Sequence, residues 1–291
     1  MTLSYHQSLT GNFHKTSALL LALALWLVST TVMADTFSEG AKYFQQGDYA
    51  RAHVYFQKAA EEGHVKGYVG LATLYEKGLG VKKDLEKVAY WQEKAAENGD
   101  VLAQYNMGVN YAYGIGVKQD YAKAAFWYQK AAEQNDFGAL NNLGNLYRDG
   151  SGVIQDHAKA LALYKKAAEL GAAEAMFNIG TSYRRGLGVK RDDIIATQWY
   201  KKAADKGYAD AQFNLGVSYW QGKGVAVDYV KATEYYRKAA EQGMSRAQLL
   251  LAEAYELGIG TPQDREKAIY WYQKAAEQGD TDAQGKLKTF Q

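Results

Sequence analysis

Apolar and small residues recur along this chain at helical spacing, twice in every stretch of about three dozen residues. In residues 173–208, Ala175, Ile179, Gly180 and Tyr183 fall at i, i+4, i+5 and i+8, one face of an amphipathic helix. In residues 101–136, Ala124, Trp127, Tyr128, Ala131 and Ala132 fall at i, i+3, i+4, i+7 and i+8. Rings there alternate with small side chains, so neighbouring helices are able to interdigitate. Both faces are expected to be core. A turn joins them: Gly186 suits the left-handed residue that ends a helix, and Asp192 suits the N-cap of the next.

The same arrangement repeats without insertion or deletion. Tyr75, Tyr111, Tyr147, Tyr183, Tyr219 and Tyr255 are each 36 residues apart, and the shift also aligns Gly78-x-Gly80-Val81 with five later copies ending at Gly258-x-Gly260-Thr261. Six units follow: 65–100, 101–136, 137–172, 173–208, 209–244 and 245–280. Asp84, Asp120, Asp156, Asp192, Asp228 and Asp264 hold the cap position. A closing Gly ends five of the units, and Asn135, the next best residue at that backbone angle, ends the other. Lys94, Lys130, Lys166, Lys202, Lys238 and Lys274 sit in a last turn, facing the negative end of the helix dipole.

The resulting pattern is A-x3-[LIM]-G-x2-Y-x2-G-x-G-V-x2-D-x2-K-A-x2-W-Y-x-K-A-A-x2-G. It resembles the Sel-1-like repeat family, relatives of the tetratricopeptide repeats. The departures are local: Ala72 and Ala252 replace the close-approach Gly, Leu163 replaces the ring held by Trp91, Trp127, Trp199 and Trp271, and Ile195 replaces the Lys. Residues 35–64 keep the pattern without the long Gly-x-Gly loop and look like a tetratricopeptide unit used as a cap; 281–291 continue the first-helix columns as a partial repeat. The resemblance implies an all-α fold, a right-handed α-solenoid superhelix of antiparallel helix pairs. It also implies a protein-interaction scaffold, and exported bacterial members are associated with envelope assembly and regulation and with host contact.

Residues 1–34 contain no acid and a single Lys, with an apolar run from Ala18 to Val28 and a small residue at Ala34. They read as a signal peptide, since the run is shorter than the roughly 20 residues a membrane-spanning helix needs. The expected location is the periplasm, with secretion or an uncleaved anchor as alternatives. With 34 Lys+Arg against 32 Asp+Glu, the chain has no charge excess to attract nucleic acid, and with no cysteine it has neither disulfides nor thiolate chemistry. His53 and His64 stand in the capping unit and His157 in 137–172, at no metal-ligand spacing. No catalytic residue, metal or cofactor is expected. The enzyme alternative is weak β-lactam or peptidoglycan hydrolysis, which the family resemblance raises through cysteine-rich relatives.

Opposite the core face of the first helix, the second, sixth, ninth and thirteenth positions of each unit form a stripe expected to line a concave surface. Asn106, Asn142, Asn178 and Asn214 share the sixth position. Their amides suit a peptide backbone or a carboxylate, or else hydrogen bonds within the fold. Trp220 stands where other units have Glu76, Ala112, Arg148, Arg184 and Glu256, and reads either as an exposed anchor or as packing on the next unit. Arg148, Arg184 and Arg185, with Tyr113 and Asn145, read as a local basic patch for an acidic segment. The expected partner is a protein or peptide, bound by a monomer with no membrane insertion after signal cleavage.

Overall fold

The computed structural model describes residues 36–290, so the signal-like segment 1–34 lies outside the described residues. Among the described residues there are fifteen helices and no strand, and within 49–113 and within 137–288 consecutive helices pack on one another, an all-α solenoid of repeats.

The chain divides into two compact units, Met1–Trp127 and Tyr128–Gln291. The first contains α1 (36–45), α2 (Tyr49–Glu61), α3 (Val65–Lys77), α4 (Leu85–Glu97) and α5 (Val101–Tyr113), and α6 (Tyr121–Glu133) begins in it. Its core gathers Ala52, Phe56, Leu71 and Leu74, with Phe37, Phe44 and Trp91 packed against them. The second contains α7 (Phe137–Asp149), α8 (His157–Glu169), α9 (Ala173–Arg185), α10 (Asp193–Asp205) and α11 (Ala209–Gln221). It continues with α12 (Tyr229–Glu241), α13 (Ser245–Leu257), α14 (Arg265–Glu277) and α15 (Thr281–Lys288).

Turn chemistry follows the sequence closely. All six cap aspartates accept the backbone N–H three residues ahead, at 2.9–3.1 Å. Asn135 takes the left-handed angle of the glycines it replaces, with φ 63°. The second glycine of each Gly-x-Gly turn has a further task. Gly224, at φ 73°, lies against the start of α10, and a Cβ there would overlap the Asp193 carbonyl oxygen. Thr197 then donates its hydroxyl to the Lys223 carbonyl of that turn at 3.0 Å.

The core differs from expectation in which rings lie deepest. Tyr164, Tyr200, Tyr236 and Tyr272, on the second helices, are buried, whereas Tyr147, Tyr183 and Tyr219 of the first helices are half-buried. Two of these first-helix rings meet a cation of the neighbouring second helix: Lys159 Nζ lies 4.1 Å from the Tyr147 ring centre and Lys231 Nζ 5.3 Å from that of Tyr219. The second-helix rings press on the small residue of the first helix. A Cβ on Gly144, Gly180 or Gly216 would stand 2.5–2.7 Å from Tyr164, Tyr200 or Tyr236.

Candidate binding cleft

Within the second unit, residues of α9, α11, α12 and α13 line a cleft of about 410 Å³. Phe213, Trp220 and Tyr236 give it aromatic walls, Val217, Leu250 and Leu257 add aliphatic surface, and Arg184, Asn214, Gln221, Arg246 and Glu253 supply polar groups. The lining of α11 and α13 includes the stripe read from the helical period: Arg246 at the second position, Asn214 and Leu250 at the sixth, Val217 and Glu253 at the ninth, Gln221 and Leu257 at the thirteenth.

Trp220 packs on the second helix of its own unit, α12. Its ring is half-buried, edge-on to Tyr229 at 4.8 Å and tilted to Tyr236 at 6.4 Å, so it is not the fully exposed anchor of the first alternative. It still faces the cleft, and its indole N–H has no hydrogen-bond partner among the described residues.

Only part of the asparagine column is tied up within the fold. Asn178 is buried and donates to Asn141 Oδ1 at 2.9 Å, tying α9 to α7, which removes it from any binding face. Asn214 donates to the Asp210 carbonyl and accepts from Arg184 Nη1 at 2.9 Å, tying α11 to α9. Asn145 accepts from the Tyr164 hydroxyl at 2.8 Å. Asn106 and Asn142 are half-buried and have no such bond among the described residues. A primary amide between two packed helices satisfies its own donors there, because leaving them unpaired costs more than the bond returns.

The basic patch dissolves for a similar reason. Arg148 forms a two-pronged ion pair with its neighbour Asp149 at 2.7 and 2.8 Å, which holds the Asp149 carboxyl below the usual carboxylate range. Arg184 is committed to Asn214 and sits 5.9 Å over the Tyr200 ring. Arg185 is exposed. Tyr113, 74% exposed, lies in the first unit and the arginines in the second, so the structure does not bring them into one described site.

Among the described residues no group of histidines and acids has metal-binding geometry, and no helix is long and apolar enough to cross a membrane. The Ser182 hydroxyl donates to the Asn178 carbonyl one turn back in its own helix.

The family model of the Sel1 repeat matches seven consecutive segments, 32–64, 65–100, 101–136, 138–171, 173–208, 209–244 and 245–280. The chain belongs to the Sel1 repeat family. Sel1 repeat proteins are in general protein-interaction scaffolds. Two solved relatives agree. A protective antigen of uropathogenic Escherichia coli strains, with the same repeat fold, is 37% identical with a TM-score of 0.79 over 88% of this chain and 56% of its own. A Sel1 repeat protein from Oxalobacter formigenes is 34% identical with a TM-score of 0.73 over 83% of this chain and 96% of its own. This chain therefore spans little more than half of the Escherichia coli protein. No curated protein matches it.

Against the Sel1 pattern, the cleft residues that sequence reading passed over become legible. Phe213 lies outside the motif, Tyr236 is its second-helix Tyr, and Leu250 and Glu253 fall on stripe positions with no residue type that marks them. Their signal is a pair of departures from the repeat: Val217 stands where Asn145 and Thr181 stand in earlier units, and Trp220 where Glu256 stands in the next.

Proposed function

We propose that this Sel1 repeat protein is a non-enzymatic scaffold that holds a segment of a partner protein in the cleft among α9, α11 and α13. The observation that carries the reading is the cleft itself: aromatic and aliphatic walls around Trp220, with an unpartnered indole N–H available to a backbone carbonyl. Apolar and aromatic walls with polar groups set among them are the usual form of a site that grips a bulky side chain and fixes its orientation. Titration of peptides selected from a random library on the immobilised protein tests it. Trp220→Ala is expected to weaken such peptides by at least about tenfold, the loss typical of an interface hot spot. Unchanged affinity would remove the cleft from the reading.

The same proposal places the scaffold outside the cytoplasm, in envelope assembly, regulation or host contact. The signal-like segment 1–34 and the absence of cysteine support export, and the likeness to a protective antigen supports host contact. Recovery of the protein in the osmotic-shock fraction is the expected outcome; retention with the spheroplasts would contradict it.

A further inference from the structure

In three of the four units that carry a buried second-helix tyrosine in α8, α10, α12 and α14, the fold satisfies that hydroxyl from its own first helix. Tyr164 donates to Asn145, Tyr200 shares a hydrogen bond of 3.3 Å with Thr181, and Tyr272 donates to Glu256. Asn145 and Thr181 lie 19 residues before their tyrosines and Glu256 lies 16 before its own. For Tyr236 the corresponding places are Val217 and Trp220, neither of which has an oxygen to offer. Its hydroxyl has no hydrogen-bond partner among the described residues and opens on the cleft.

Glu253 faces the same space. It is half-buried and makes neither a hydrogen bond nor an ion pair among the described residues. Of the nearby cations, Lys286 is bound to Glu256 at 2.9 Å and Arg246 is an exposed residue of the same lining; both attract the Glu253 carboxylate, and neither forms an ion pair with it. Glu256 and Asp282 add negative charge on the same side, and burial holds the Glu253 carboxyl above its ordinary range. The nearness of Glu253 also raises the Tyr236 hydroxyl, after burial, to about 12. At the other end Arg184 is held by Asn214. The cleft thus contains an acid with no hydrogen-bond or ion-pair partner among the described residues, beside three aromatic rings, where a partner's cation gains both an ion pair and a ring contact.

Resting on the scaffold reading above, we infer that the cleft selects a partner segment in which a Lys or Arg lies next to a bulky apolar residue. The apolar side chain enters between Trp220 and Leu250, and the basic group donates to Glu253, with the Tyr236 hydroxyl as a second acceptor. Val217 and Trp220 make this possible by withholding the oxygen that the other units supply.

Selection of a random peptide library on the wild-type protein and on Glu253→Gln tests this. The wild type is expected to enrich a basic residue within a few positions of an apolar one, and Glu253→Gln to keep the apolar preference and lose the basic one. For a synthetic selected peptide, replacing its basic residue by Ala should weaken wild-type binding about tenfold or more, as for a charge-assisted hydrogen bond, and binding to Glu253→Gln by less than about twofold. Selected peptides without basic enrichment, or equal loss on both proteins, would overturn the inference and leave the scaffold reading standing. Failure of the wild type to select any peptide would overturn both. Circular dichroism of Glu253→Gln separates a lost preference from a lost fold, and Tyr236→Phe, which keeps the ring, gives a second route to the same pair.

Discussion

Gly180 lies so close to Tyr200 that a Cβ added to the glycine would stand 2.7 Å from two carbons of the ring. This contact joins α9 to α10 and recurs as Gly144 with Tyr164 and Gly216 with Tyr236. Substituting Gly180→Ala is therefore expected to destabilise the protein even though Ala is the better helix former. Overpacking costs about 1–3 kcal/mol, against about 1 kcal/mol gained in helix propensity. Urea unfolding measures the balance, and a stabilised variant would show that the ring moves aside freely.

Depth of burial ranks the tyrosines. Tyr200→Ala removes a ring that is 1% exposed and should cost roughly 3–5 kcal/mol, as for other buried aromatics. Tyr183→Ala, at a half-buried position, should cost clearly less. Equal losses in denaturant titration would contradict the assignment of the second-helix rings as the deeper core.

How far the sequence reveals the fold is visible in these residues. The glycine, tyrosine and aspartate columns have a strict period because each answers a backbone or packing demand that recurs in every unit, so the helices, turns and caps were legible from spacing alone. Relative depth was not, since Tyr147 and Tyr200 are both tyrosines in strict columns and only the packing shows that Lys159 covers the first. The cleft was legible in part. The period placed Arg246, Leu250, Glu253 and Leu257 on its stripe, but Asn178 turns inward to Asn141 and Asn214 meets the cleft already bonded to Arg184, because two packed first helices offer amides partners that spacing does not reveal.

The cap aspartates should matter equally at every turn. Asp192→Ala removes a 2.9 Å bond to the Ile195 N–H and is expected to cost about 0.5–2 kcal/mol, with Asp192→Asn restoring most of it. Matching losses for both variants in thermal unfolding would mean that the bond contributes nothing.

Acid titration distinguishes two kinds of carboxyl. Asp264 is held below its ordinary range by hydrogen bonds from Lys267, so its contribution is present above the unfolded value of about 4 and is lost as pH falls through the lower folded value. Glu253 is raised by burial, so its contribution has the opposite course: it is complete below about pH 4 and is lost as pH rises through the folded value. Glu253→Gln should then be the more stable protein near pH 7, with the difference vanishing near pH 3. A difference of constant size across that range would rule out titration of Glu253 as its source.

Amide chemical-shift mapping of the labelled protein with a library-selected peptide locates the bound segment. With the segment in the cleft around Trp220, perturbations are expected to concentrate on α11 and α13, around Trp220, Leu250 and Glu253, and to be largely abolished by Trp220→Ala. Perturbations centred instead on the first-unit cavity of about 340 Å³ beside Phe44 and Val69, and unaffected by Trp220→Ala, would contradict that placement.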